Sequence, residues 1–354
     1  MPNRAETLLQ AIREVDIPPV TLMEVCGTHT MAIAKAGLKP LLAPKVTLLS
    51  GPGCPVCVTP ARDIDACLRL CERDDVILTS YGDMLRVPGS VRGDSLLRQS
   101  AMGADVRMVY SPMDAVEIAR ENPAKKVVFL GVGFETTAPG TAIAVRTAKD
   151  AGIGNFYLLP LLKRLEPALR ALCANDALAV DGLLCPGHVA SILGEDGFAY
   201  VAKELKLPAV IAGFEREDIL LAVYRLLLQI QAHAPKVENA YPRAVQKAGN
   251  PLAMAVMDAV FTPCDSLWRG MGMIPMSGYA LREAYADFDA VRALDLRFTE
   301  EPPTACRCGD VIRGMLPPEK CPLFGTCTPE EPLGPCMVSG EGACAARYKY
   351  GVDV

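Results

Sequence analysis

The sequence has no apolar stretch long enough to cross a bilayer. Its greasiest segment, 219–230, is short and carries Arg225. It has no run of lysine or arginine, and 36 basic against 41 acidic residues give a net charge of -5. That balance leaves no electrostatic footprint for nucleic acid or for an anionic membrane surface. No G-x-x-x-x-G-K-S/T or G-x-G-x-x-G fingerprint follows a strand-like segment, and Gly131-x-Gly133 alone is too common to mark a nucleotide site. The first 15 residues lack the apolar centre of a signal peptide. Nor is the composition that of a disordered chain, with 51% apolar and 22% charged residues. The expectation is a cytoplasmic protein with neither nucleic acid nor membrane as partner. Its 354 residues are long for one core and imply two or three domains.

Cysteine, by contrast, is abundant: 14 residues. In a compartment that keeps thiols reduced, such a number points to metal binding or redox chemistry rather than a disulfide framework. Six fall between Cys306 and Cys344, and three more are Cys26, Cys54 and Cys57.

Two blocks share a rhythm of short apolar strand, Gly- or Pro-rich turn, then helix. The first has strands near 20–27, 46–53, 76–83 and 106–111; the second near 126–133, 155–161, 182–189 and 209–215. Near-continuous apolar strands alternating with helices argue for parallel sheets covered on both faces. The expected fold is α/β: two small parallel-sheet domains (20–120 and 121–235) facing a cleft. A helical and loop-rich C-terminal part (236–354), joined by residues 1–19, would complete it. The stretches PLAMAVMDAVF and SGYALREAYADFDAVRAL read as helical, and beyond about 301 a Pro-, Gly- and Cys-rich tail lacks the periodicity of a core. A bound metal is the usual organiser of such a tail.

Ligands of open α/β sheets sit beyond the carboxyl ends of the strands. There this sequence places Cys26-Gly-Thr-His29, Cys54-Pro-Val-Cys57, Gly133-Phe-Glu135 and Cys185-Pro-Gly-His188. Two of only three histidines fall in these turns; the third, His233, reads as a surface residue. A helix N-terminus and a nearby histidine would lower the pKa of Cys26, making it a nucleophile or ligand rather than a buried structural thiol. Cys54 and Cys57 suit a reversible disulfide or two ligands of one metal. His29, Glu135 and His188 are candidates for acid–base, ligand or orienting roles, or for hydrogen-bonded loop residues. Cys67 and Cys71 read as one face of a helix.

In the tail, Cys321, Cys327, Cys336 and Cys344 are spaced six, nine and eight apart. Four thiolates serve an iron–sulfur cluster or structural zinc. The absence of close C-x-x-C knuckles favours the cluster. Cys306 and Cys308 form a separate C-x-C that could exchange as ligands or form a redox disulfide.

The strings CGTHT (26–30), GPGCPVC (51–57), GFETTAPG (133–140), CPGHV (185–189) and the tail CPLFGTC…GPCMVSGEGACAA resemble, in order and over nearly the whole chain, the HypD family of NiFe-hydrogenase maturation proteins. The resemblance implies a scaffold rather than a conventional turnover enzyme. It would work with a small HypC-type chaperone, holding the iron that becomes the Fe(CN)2CO unit. Cys26 would be an iron ligand supported by His29, a HypE-type partner would donate cyanide, and a 4Fe–4S cluster in the tail would supply electrons through Cys54 and Cys57. The rival readings are a cluster-dependent thiol–disulfide oxidoreductase that dispenses with Cys26 and His29, and a zinc protein.

Overall fold

The computed structural model describes residues 3–174, 178–300 and 303–351. Two parallel sheets form its frame. The first has five strands, β1 (Val20–Glu24), β2 (Val46–Ser50), β7 (Gly182–Pro186), β8 (Ala209–Ala212) and β9 (Val237–Asn239), in the order β2-β1-β7-β8-β9. The second has four, β3 (Val76–Ser80), β4 (Val106–Met108), β5 (Lys126–Gly133) and β6 (Phe156–Leu162), in the order β4-β3-β5-β6. β3 and β7 are buried throughout, as strands covered on both faces must be.

The sheets do not follow the two sequence blocks. β1 and β2 are completed by β7, with Leu22 opposite Gly182 and Glu24 opposite Leu184, while β3 and β4 are completed by β5 and β6. The chain thus leaves the first sheet after β2, builds the whole second sheet, and returns. The expectation that strands one to four share one sheet and five to eight the other misses this, because local rhythm carries no information about which distant strand completes a ladder. The region after 236 also differs. Of the two stretches read as helical, PLAMAVMDAV is the α-helix Pro251–Val260, whereas SGYAL belongs to an antiparallel hairpin of β10 (Phe261–Trp268) and β11 (Gly272–Leu281).

Three apolar cores hold the layers. One lies outside the second sheet, with helices Pro112–Glu121 and Ala138–Asp150. Another lies outside the first sheet, beneath helices Arg4–Glu14 and Arg216–Gln231. The third joins the facing sides of both sheets to the tail, taking in Val25, Ile211, Val128 and Trp268 together with Cys54, Cys57, Cys308 and Cys336. Among the described residues no helix is long and apolar enough to cross a membrane.

The N-terminal helix packs against Arg216–Gln231 rather than on the C-terminal part, through Ala5, Leu9 and Ile12. Ile12 is 1% exposed. Ile12→Ala is therefore expected to cost about 2–4 kcal/mol, measured by urea unfolding. A loss below about 0.5 kcal/mol, the range of surface substitutions, would show that this helix is not part of the first sheet's cooperative unit.

Candidate functional site

In the first sheet the connections run one way from β1 to β2 and the other way from β7 through β8 to β9. The gap between β1 and β7 is thus the topological switch point, where the turns diverge and leave a crevice. Cys26 follows β1, His188 follows β7 and Phe214 follows β8, so the switch point gathers three of the turns.

Cys26 is the N-cap of helix Gly27–Lys35, and its N–H donates to Glu24 Oε2 at 3.1 Å. The turn after β2 lies directly on it. Gly27 N–H donates to Gly53 O at 3.0 Å, and a Cβ at Gly53 would collide with the backbone of Cys26. Only glycine permits that approach. It brings the turn that carries Cys54 and Cys57 against the Cys26 backbone; the two are joined as a disulfide, Cα atoms 5.3 Å apart.

The Cys26 thiol is 6% exposed. Burial pushes it up to about 12, against the amides of His29 and Thr28 and with the help of Glu341 and Glu24. The expected lowering by the helix N-terminus is present but is outweighed by desolvation. His29 is fully buried, and its Nε2 lies 2.9 Å from Gly213 O. A carbonyl only accepts, so Nε2 carries the hydrogen. Burial holds the ring's pKa down at about 4, and Nδ1 is left as a bare lone pair with no hydrogen-bond partner. Phe214 lies 4.7 Å from the His29 ring and stacks at 3.9 Å on His188, which is exposed. His188 stands at the mouth of the crevice and His29 inside it.

Two carboxylates complete the site, and the motifs did not reveal either. Glu24 is 1% exposed, accepts from Cys26 N–H and Thr30 Oγ1, and burial pushes it up to about 7. A lone charge inside the apolar strand VTLMEV was its available signal. Glu341, set between two glycines of the tail, accepts from Thr28 Oγ1 at 2.5 Å and lies against Gly27. Through it the tail reaches the Cys26 turn.

All six tail cysteines line one narrow chamber of about 20 Å³. Cys308 shares hydrogen bonds with both Cys306 and Cys336, and Cys336 with Cys344. Those contacts hold the Cys308 thiol well below the ordinary range, with Arg269 beside it. Cys327 Sγ accepts from Leu333 N–H at 3.2 Å. Helices Cys308–Ile312 and Pro335–Val338 both pack on the short helix Pro55–Val58, so the tail thiols stand behind the Cys54–Cys57 pair. Among the described residues no three metal-binding side chains converge as a ready single-ion site.

Glu135 is not drawn into this group. Its Oε1 accepts from Leu165 N–H at 2.9 Å, Oε2 has no hydrogen-bond partner, and the charges acting on it are Arg164 and Glu166. Cys67 and Cys71 donate to Asp63 O and Cys67 O, each one turn back, as residues on a helix face do.

Fold and site define a doubly wound α/β protein that presents cysteine sulfur at a strand-switch point and backs it with a cysteine-rich tail. The family model described as "HypD: Hydrogenase formation hypA family" matches residues 3–351. Hydrogenase maturation factor HypD of Escherichia coli is 47% identical over 339 residues, covering 94% of this chain and 89% of its own. Hydrogenase maturation factor HypD2 of Bradyrhizobium diazoefficiens is 45% identical over 357 residues, covering 97% and 93%. The Rhodobacter capsulatus HypD is 42% identical over 340 residues, covering 94% and 90%. The chain belongs to the HypD family, and its role lies in hydrogenase maturation.

Burial pushes the Glu135 carboxyl up to about 7 from an ordinary 4.5. A raised folded-state value favours the folded protein only while the group stays protonated. The contribution is full below pH 4.5, is lost as pH rises through about 7, and amounts to about 3 kcal/mol. Glu135→Gln should therefore match the parent at pH 5 and exceed it by about 1–3 kcal/mol at pH 8, read from denaturant midpoints. The same difference at both pH values would contradict a buried neutral carboxyl.

Proposed function

We propose that the chain is an assembly scaffold that holds iron at Cys26 while cyanide and carbonyl ligands are placed on it, forming the Fe(CN)2CO unit of NiFe hydrogenase. A small HypC-type chaperone would contribute a second thiolate, and a HypE-type partner would donate cyanide from a thiocyanate on its own C-terminal cysteine. The observation that carries this reading is one convergence. A buried thiol, a buried neutral imidazole with an unused Nδ1 lone pair, and a two-electron sulfur pair meet at the strand-switch point.

The iron is cargo, and soft thiolate suits low-spin iron with strong-field diatomic ligands. Burial keeps the Cys26 thiol protonated until a metal displaces its proton. His29 Nδ1 offers its lone pair to the iron or to that proton. His188 and Glu341, at the edge of the site, would orient the arriving partner.

Cleaving the S–CN bond of a thiocyanate takes two electrons. The dithiol form of Cys54 and Cys57 supplies both. One of its protons goes to the donor sulfur and the other to cyanide, and the pair is left as the disulfide. Cys54 and Cys57 are 5% and 1% exposed. That burial favours an internal role over a free-standing oxidoreductase acting on protein substrates.

The tail fits a 4Fe–4S cluster by its donor set: six thiols around one chamber. When bound, the cluster would supply electrons one at a time. Each of its irons takes a separate thiolate, so ligand sulfurs should stand apart. Cys308 and Cys336 each contact two other thiols and lie on the helices packed against Pro55–Val58. The contacts therefore favour Cys306, Cys321, Cys327 and Cys344 as ligands, with Cys306 in place of the expected Cys336. Cys308 and Cys336 then form a thiol pair next to Cys54 and Cys57.

Two measurements test this. Infrared spectra of the anaerobic complex with the small chaperone should show cyanide and carbonyl stretches that Cys26→Ala abolishes. An intact brown complex without them would favour the thiol oxidoreductase. Iron content and visible absorbance of the chain alone should fall sharply in Cys306→Ser and persist in Cys336→Ser; the opposite pattern would restore Cys336 as a ligand.

A further inference from the structure

Four donors of the kinds zinc binds stand around the crevice: the Cys26 thiol, the bare Nδ1 of His29, the His188 ring and the Glu341 carboxylate. The charge of His188 acts on His29, and that of Glu341 on both Cys26 and His188. Yet among the described residues no three such groups lie close enough together to hold an ion. Zinc and copper bind a given nitrogen–sulfur donor set more tightly than iron(II) does, so a site meant for iron must exclude them by geometry.

What keeps the two imidazoles apart is a ring without a polar atom. His188 stacks on Phe214 at 3.9 Å and covers one face of it, while His29 meets the same ring at 4.7 Å from the inner side. Phe214 is itself held. Tyr241 stands edge-on to it at 6.1 Å. The Tyr241 ring also lies against Gly187 and Gly213, where a Cβ would come within 2.8 Å and 2.6 Å of it. The turns after β7 and β8 thus share one aromatic anchor, whose N–H donates to Asn239 Oδ1 at 2.8 Å and whose ring Arg243 covers at 4.4 Å. A wedge fixed in this way is not free to swing aside and let His188 join Cys26 and His29.

We propose that Phe214 sets the metal specificity of the crevice, as a divider that prevents Cys26, His29 and His188 from closing into a tetrahedral zinc site. It leaves at Cys26 a thiolate position of low coordination, open to iron and its diatomic ligands. Phe214 acts through the two histidines and not on the metal, so it is a positioning residue. This role rests on the assembly reading above, but the exclusion of zinc is measured without iron.

The test counts the zinc that the full-length chain retains, under anaerobic conditions, against a chromophoric chelator. Each variant is paired with its Cys26→Ser counterpart, so that zinc taken by the tail thiols cancels. The parent should hold no zinc that Cys26→Ser removes. Phe214→Ala should gain one equivalent, bound about 100-fold more tightly than at the same position of the parent, the scale on which one further ligand contributes. Adding His188→Ala to Phe214→Ala should abolish that gain. Phe214→Tyr, which keeps the ring, should exclude zinc as the parent does. Phe214→Val, which keeps only bulk near the backbone, should bind like Phe214→Ala and replaces it if the alanine variant does not fold. Cobalt(II) in place of zinc should give the intense visible bands of a tetrahedral thiolate–imidazole site only where the ring is lost. A merely structural Phe214 would lower stability without creating those bands. Zinc held through Cys26 by the parent, no gain in the ring-deleted variants, or a gain that survives His188→Ala would overturn the proposal. The infrared bands report on iron at Cys26 and the zinc count on the divider, so either can fail without the other.

Discussion

The pairing of β1 with β7 is the interaction on which the rest depends. Leu22 lies opposite Gly182 and Glu24 opposite Leu184, and that register places the ends of the two strands side by side. Without it Cys26 would keep its helix N-terminus, Glu24 and the turn after β2, but nothing from β7 or β8. With it, the turn of β8 supplies Gly213 to fix the His29 tautomer, and Phe214 separates an inner histidine from an outer one. The switch point is thus the source of the site's chemistry as well as its location.

Burial decides the charge state of nearly every group there. Cys26 and Glu24 are pushed towards their protonated forms and His29 towards its neutral one, in each case chiefly by desolvation. A site made of neutral groups in a dry setting is poor at holding charge by itself. It suits a soft metal that brings its own charge and displaces the thiol proton as it binds. The tail differs: thiols in mutual contact, with Arg269 beside them, favour thiolate at Cys308. The turn that carries Cys54 and Cys57 touches both the Cys26 backbone, through Gly53, and the tail helices that carry Cys308 and Cys336.

Much of this was legible in the sequence because it is local. Apolar runs ending in Gly- and Cys-rich turns marked the strands and put Cys26, His29, Cys54 and His188 at strand ends, where the structure has them. Partner choice was not legible, because the strand that completes β1 lies far along the chain and its residues read like those of any buried strand. SGYAL was misjudged as helix because its apolar residues fit either period, and only the hairpin partner Phe261–Trp268 decides it. Glu341 was invisible for a related reason: its meaning comes from Thr28, more than three hundred positions away. Glu135 sits at a strand end like the others, but a local amide at Leu165 takes up its carboxylate.

The interrupted first sheet also sets an order of events on the ribosome. β1 and β2 emerge early, yet the strand that lies against β1 does not appear until Gly182, after the whole second sheet. Since domains generally fold as their segments leave the ribosome, the second sheet can close while β1 still lacks its neighbour. Through that interval the nascent chain carries Cys26 without His188, Gly213 or Glu341 around it. A sulfur that is buried in the finished protein is thus among the longest unguarded during its synthesis, a period in which any metal or oxidant in the cell has its freest access to it.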